Sequence, residues 1–386
     1  MENAPENEPG KKYENFSNPN RPVKKRFPFF YFVYIILGIF VILLAGAGFY
    51  FYKKNPKTEP ETEWEKLKTL IWEKPKTAVP WQARDSQTEY VWNNRLFILG
   101  GLNANQAKTN STTVVYEKAI YFNDIWYTED GENWIMAKEH ASFPPIRSAS
   151  IVPFKGELWM LGGFSPDSQI NYKVGIWKSA DGVEWSQVKK DVPFPPREGF
   201  RSLEINGKIC FFGGVNYFIK EIYNDVWCSP DGLNWSAQTL RAPWEGRWDY
   251  DAVYYHGVIY LAGGMNLKNE GWNDIWISKD EGASWELLSE HAPWSVRQGQ
   301  VMLIWKDLIW LIGGLEPKTN TGVGDTWFTS DGINWTKTKT DGPWRGREDH
   351  GVAVWKDSLW LVGGMDDQWN WKEGVWHTPV PTNTSK

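Results

Sequence analysis

Residues 247–285 read RWDYDAVYYHGVIYLAGGMNLKNEGWNDIWISKDEGASW, and most features of this stretch return fifty residues later. It opens on Arg247, alternates apolar and polar positions to the turn His256-Gly257, climbs to Gly263-Gly264, and then carries Asn273-Asp274-Ile275-Trp276 and a second turn before Trp285. Alternation over a few residues marks half-buried strands, because successive side chains point to opposite faces. The short turn between the first two strands has the chemistry of a hairpin whose central residues need positive φ. Each such stretch is therefore expected to fold as four short antiparallel strands.

The period can be measured on two marks. Paired glycines close apolar runs at Gly100-Gly101, Gly162-Gly163, Gly213-Gly214, Gly263-Gly264, Gly313-Gly314 and Gly363-Gly364, in steps of 62, 51, 50, 50 and 50. An arginine recurs at Arg84, Arg147, Arg197, Arg247, Arg297 and Arg347, in steps of 63 and then 50 four times. Together they define six units, the first with an insertion of about 12 residues. Third strands carry Trp126, Trp177, Trp227, Trp276, Trp327 and Trp376, and fourth strands Trp134, Trp185, Trp235, Trp285 and Trp335. A four-stranded unit with a period near 50 is a β-propeller blade.

The sixth unit stops after Trp376 and lacks a fourth strand. Twelve residues separate Trp235 from Arg247 and Trp285 from Arg297, and twelve before Arg84 stands Trp72. The segment Leu70 to Lys74 is thus expected to complete the last blade. That closes an all-β, six-bladed propeller and leaves no free sheet edge.

Composition agrees. The 386 residues include 27 Trp, about 7 per cent, and 35 Gly, which suits many short strands and tight turns and disfavours a mostly helical chain. With 42 basic and 47 acidic residues, no broad basic footprint for nucleic acid exists. Two cysteines and five histidines at scattered positions supply neither a disulfide framework nor a zinc site, so no metal or cofactor is expected.

Ahead of the repeat, Phe27 to Tyr52 is a run of 26 uncharged residues between Lys24-Lys25-Arg26 and Lys53-Lys54. As a helix rising ~1.5 Å per residue it would be about 39 Å long, enough to span a core of about 30 Å. Aromatic residues crowd both ends, as interfacial belts do. The alternative is a cleaved signal peptide ending near Ala45-Gly46-Ala47, although such apolar regions usually have only about 7 to 15 residues. Six Lys and Arg precede the span and three follow it closely, which keeps the N-terminus in the cytoplasm. The expected organisation is a cytoplasmic tail over 1–26, a transmembrane helix over 27–52, a linker over 53–66, an extracytoplasmic propeller over 67–379 and a tail over 380–386.

Arg347-Glu348-Asp349-His350-Gly351, an alternating strand, Leu361-Val362-Gly363-Gly364 and a following tryptophan resemble the kelch repeat of galactose-oxidase-like propellers, over roughly residues 67 to 378. Ser278-Lys279-Asp280-Glu281-Gly282-Ala283-Ser284-Trp285 is similar to the Asp-box turn of sialidases, a hairpin device in those families. The resemblance implies the propeller fold and leaves function open, since such propellers include binding modules and enzymes. Copper chemistry of the galactose oxidase type would need paired histidines and tyrosines, which the five scattered histidines do not offer. Sialidase-like chemistry would need an arginine triad and a tyrosine, and sialic acid mutarotases share the fold and an extracytoplasmic location.

The repeat supplies its own control: a residue filled alike in every blade is explained by packing, and one that varies is free to serve a ligand. Of the 27 tryptophans, 22 hold repeat positions, and Trp64, Trp248, Trp272, Trp369 and Trp371 do not. The last four lie in connections that open on one face, around the channel mouth. Residues after each arginine vary too, as Asp85, Ser148, Glu198, Trp248, Gln298 and Glu348, then Ser86, Ala149, Gly199, Asp249, Gly299 and Asp349. The resulting alternation of guanidinium and carboxylate either ties neighbouring blades together or presents donors and acceptors to a polyhydroxylated or carboxylated ligand. The candidate ligand-binding residues are Arg197, Glu198, Arg247, Trp248, Asp249, Arg347, Glu348, Asp349 and Trp371. The insertion Leu102 to Phe122 opens on the same rim as a lid or partner contact, with a glycosylation sequon at Asn110-Ser111-Thr112. Cys210 and Cys228 form either a cross-strand disulfide or two buried thiols, according to strand register. The expected function is a membrane-anchored binding or scaffolding module for glycan or protein; the alternative is a glycan-acting enzyme of sialidase-like or mutarotase-like type.

Overall fold

The computed structural model describes residues 63–379, apart from 111–112, 168–171, 173 and 345. The expected transmembrane helix over 27–52 and the tail over 380–386 lie outside the described residues, and among those described no helix is long and apolar enough to cross a membrane. The repeat folds as a six-bladed, all-β propeller. Blade 1 is Thr88–Trp92, Arg95–Leu99, Ile125–Thr128 and Trp134–Lys138; blade 2 is Ser150–Phe154, Glu157–Leu161, Ile176–Ser179 and Ser186–Lys189; blade 3 is Arg201–Ile205, Lys208–Asn216, Glu221–Ser229 and Ser236–Thr239. Blade 4 is Trp248–Tyr255, Val258–Met265, Ile275–Ser278 and Glu286–Ser289; blade 5 is Val301–Trp305, Leu308–Ile312, Thr326–Thr329 and Thr336–Lys337; blade 6 is Gly351–Trp355, Ser358–Val362 and Val375–His377. The first strands of successive blades contact one another in a closed circle.

The fourth position of blade 6 is filled from the N-terminal side, where Glu73 and His377 exchange backbone hydrogen bonds of 2.8 and 2.9 Å. Only this one pair forms, because Pro75 has no N–H to extend the ladder. A short helix, Glu63–Lys68, precedes it and buries Leu67, while Trp64 meets Phe328 edge-on at 4.9 Å. Residues 63–66 of this helix fall in the stretch expected as linker, and Leu67 and Lys68 in the stretch expected as propeller. Cys210 and Cys228 stand directly opposite on neighbouring strands and are disulfide-bonded.

Six apolar clusters fill the gaps between neighbouring blades. Phe97 and Leu99 of blade 1 pack with Leu158 and Met160 of blade 2, for example, and Leu96 and Ile98 pack with Trp360 and Val362 of blade 6. The motif Asn-Asp-Ile-Trp, with valine for isoleucine in blade 3, locks blades 1, 3 and 4 from within. Asn224 donates to the carbonyls of Ala242 and Trp244, and Asp225 accepts from Arg197 at 2.5 and 2.9 Å and from the Trp227 indole at 2.8 Å. Arg84–Asp124, Arg247–Asp274 and Arg297–Asp325 repeat this pairing. The arginine also donates to the first glycine of its pair, as Arg197 does to the Gly213 carbonyl at 2.8 Å.

Blade 2 breaks the register. In five blades the carbonyl of the recurring arginine accepts from the second glycine of the preceding pair, as Arg247 does from Gly214 at 3.0 Å. In blade 2 the acceptor is Ile146, bonded to Gly101 at 2.7 Å. The scaffold position is therefore apolar, its usual aspartate is Gly175, and Arg147 sits one place further on.

Candidate functional site

At the channel mouth the chain turns inward with the same backbone conformation in every blade. Ser86, Ser148, Gly199, Asp249, Gly299 and Asp349 all have φ between 49° and 64°. They are linked from blade to blade by N–H to carbonyl bonds: Ser148 to Ser86 (2.8 Å), Ser86 to Asp349 (3.0 Å), Asp349 to Gly299 (3.1 Å), Gly299 to Asp249 (2.8 Å) and Asp249 to Gly199 (3.2 Å). This ring takes Ser148 where the arginine count placed Ala149, as the shift in blade 2 requires. A Cβ at Gly299 would lie 2.8 Å from Glu348 and 2.9 Å from the Asp349 carboxylate, so only glycine fits between those two acids. The ring separates a polar channel of about 660 Å³ below, containing Glu89, Arg201 and Asp251, from a cup of about 730 Å³ above.

The cup has an ionisable floor and aromatic walls. Among the described residues, five acids, Asp85, Glu198, Asp249, Glu348 and Asp349, line it with one cation, Arg147. Arg147 clamps Glu198 through Nε at 2.9 Å and Nη2 at 3.0 Å, and Tyr172 donates to the same carboxylate at 2.9 Å. The Tyr172 hydroxyl oxygen in turn accepts the backbone N–H of Tyr217 at 3.2 Å. Around this triad stand Tyr116, Tyr121, Phe164, Tyr217, Trp248 and Trp369. Tyr217 meets Trp248 edge-on at 4.9 Å, and the Arg147 guanidinium lies 5.1 Å from the Phe164 ring centre.

Burial governs the charges. It pushes Asp85 up to about 8 and Asp349 to about 6, with the Asp349 charge raising Asp85 further. Asp249 and Glu348 are raised well above the carboxylate range by burial and by Asp349. Burial disfavours the cation of Arg147, but Glu198 outweighs it and holds the guanidinium charged. Burial likewise raises the phenols of Tyr116, Tyr121, Tyr172 and Tyr217. Burial thus favours the protonated form of these floor carboxyls and holds the proton of Asp85 at neutral pH; a protonated carboxyl donates a hydrogen bond as well as accepting one.

Of the residues expected at the rim, the structure brings Glu198, Trp248, Asp249, Glu348 and Asp349 together in the cup. Arg197 and Arg247 are buried and paired to Asp225 and Asp274 inside their blades. Arg347 is buried on the scaffold position of blade 6, donating to the Gly363 carbonyl. Among the described residues, Arg147 is the one recurring arginine that pairs with a rim acid, Glu198; Arg84, Arg197, Arg247 and Arg297 pair instead with the aspartate two residues before the third-strand tryptophan, a carboxylate that also receives the indole N–H. Trp371 is 3% exposed and packs with Leu102, Ala104 and Ala107 of the insertion; it does not line the cup, although its indole acts on the Asp85 carboxyl of the floor from behind. Trp272 stacks on Arg247 at 4.5 Å. Arg147 and the wall tyrosines were missed. For Arg147 a signal was present: its step of 63 from Arg84 exceeds the glycine step of 62 by one residue. The tyrosines lie in loops that no repeat position covers. No protein-family model matches the chain, and no curated protein matches it.

Proposed function

We propose that the protein is a membrane-anchored, extracytoplasmic binding module of kelch type whose cup takes a neutral, polyhydroxylated ligand of glycan kind. The propeller fold suits a binding or scaffolding role. The observation that carries the reading is the combination of aromatic walls with carboxyl groups that both donate and accept: ring faces serve sugar C–H surfaces, and the floor serves hydroxyls. A carboxylated sugar is poorly served, since the one cation among the described residues of the cup is already held by Glu198, and a sialidase-like arginine clamp is not available from Arg197, Arg247 or Arg347. A glycan array probed with the detergent-solubilised full chain tests this. Neutral glycans should be retained by the wild type and lost from Trp248→Ala; retention of sialylated glycans alone, or of nothing, would overturn it.

A second reading, a glycan-acting enzyme, is favoured by the Tyr172 hydroxyl bonded to Glu198 beside protonated carboxyls. On that reading Glu198→Gln spares ligand affinity and lowers turnover by roughly a hundredfold or more, whereas in a binding module it weakens affinity. The anchoring is tested separately: protease added to spheroplasts should release the propeller and spare a tag at residue 1, and protection of the propeller would reverse the orientation.

A further inference from the structure

Four blades share one buried constellation. Arg84, Arg197, Arg247 and Arg297 each grip an aspartate, and that aspartate accepts the indole N–H two residues on, from Trp126, Trp227, Trp276 or Trp327 at 2.7 to 2.8 Å. Blade 6 keeps the arginine and the tryptophan and replaces the acid with Gly374. A Cβ at Gly374 would lie 3.4 Å from Arg347 Nη2 and 3.7 Å from Trp376 Nε1, so the position faces both donors. Arg347 is 6% exposed, and among the described residues neither its Nε nor the Trp376 indole N–H has a hydrogen-bond partner.

Among the described residues no acid forms an ion pair with Arg347, although Asp366 stands opposite it on the paired strand. Asp366, whose charge acts on Arg347, is bonded to Lys372 at 2.5 Å and to Asn370 at 3.1 Å. Lys74 adds positive charge, its ammonium lying 4.7 Å from the centre of the Trp376 ring. In the four blades that keep the aspartate Nε donates to the carbonyl two residues back, so the groups that face position 374 are Nη2 and the indole N–H. Burial of a guanidinium without an ion-pair partner is costly, and these two donors match the oxygens of a carboxylate. Gly374 and Trp376 are half-buried, which leaves a way in from solvent.

We propose that blade 6 carries a small-anion site between Arg347, Trp376 and Gly374, shaped for a monocarboxylate of the size of formate or acetate. The bound anion stands where the aspartate side chain stands in four other blades. It is a site separate from the cup, and it ties the blade that closes the ring.

The test uses the full chain in detergent, in a buffer whose only other anion is a bulky sulfonate, at constant ionic strength. Sodium formate is titrated while thermal unfolding is followed for the wild type and for Gly374→Asp. The wild-type Tm should rise saturably, by about 1 to 3 °C, while Gly374→Asp starts higher and does not respond. Equal responses in both proteins, or none in the wild type, would overturn the proposal. Line broadening of [13C]formate by the wild-type chain gives a readout that does not depend on Gly374→Asp folding. Trp376→Phe, which removes only the indole donor, should reduce that broadening several-fold, and broadening that is unchanged or absent counts against the site.

Discussion

A displacement of one residue separates scaffold from site. Arg297 is held inside blade 5 by Asp325, whereas Arg147, one place further along its strand, reaches the cup and holds Glu198. The two therefore answer differently to mutation. Asp325→Ala strands a buried guanidinium and should cost about 3 to 5 kcal/mol in denaturant unfolding. The double change Arg147→Gln with Glu198→Gln removes both charges at once, so it should unfold near the wild-type midpoint while ligand affinity falls tenfold or more, measured by titration calorimetry. A large loss of stability in the double variant would make Arg147 a scaffold residue after all. The distinction was legible in the sequence: the glycine and arginine ladders disagree by one residue at blade 2, and Gly175 stands where four blades have aspartate. The burial of Trp371 was not legible, because an insertion distant in sequence supplies the residues that cover it.

Among the elements, the segment that closes blade 6 does the most with the least pairing. Its ladder is the single Glu73–His377 pair, and besides hydrogen bonds to the Lys68 and Leu70 carbonyls from Lys339 N–H and the Thr340 hydroxyl its hold comes from side chains: Leu67 and Leu70 are buried with Leu359 and Leu361, and Trp72 meets Trp344 edge-on at 4.6 Å. Trp72 is half-buried, and Trp72→Ala should cost about 2 kcal/mol, below the range of a fully buried tryptophan. Deleting 66–76 should lower the Tm far more than deleting the residues after Pro381. Equal effects would mean the segment does not close the ring. The spacing of twelve residues disclosed this strand; its shortness follows from Pro75, and the helix before it was not foreseen because six residues carry too little periodicity. The Cys210–Cys228 bridge was left open by the sequence and is decided by register. Alkylation in denaturant should modify no thiol before reduction and two afterwards; a wild-type chain with two reactive thiols would refute the bridge.

Acids of the cup floor lie far apart in the chain, Asp85 in blade 1, Asp249 in blade 4, and Glu348 and Asp349 in blade 6, and they meet only because the ring closes. Their mutual shifts are thus a property of the whole molecule, and pH can read it. A carboxyl whose folded pKa is raised binds its proton more tightly when folded, so stability falls as pH rises from the unfolded value to the folded one. For Asp85 that interval runs from 3.8 to about 8, and for Glu89 in the channel from 4.5 to about 7. His350 acts oppositely: burial lowers it from 6.5 to about 3, so its contribution grows with pH up to 6.5 and is constant above. Aspartates held low by turn hydrogen bonds, such as Asp130 and Asp331 at about 2, matter only in acid. Between about pH 6.5 and 8 the raised carboxyls act alone, and the Tm should decline across that range. Asp85→Asn should flatten the decline and be the more stable protein at pH 8. The 66–76 deletion, by opening the ring and letting water reach the floor, should flatten it too, although the deleted segment contributes no residue to the cup. A slope that survives that deletion while Asp85→Asn abolishes it would mean that the floor is assembled by local contacts and not by closure.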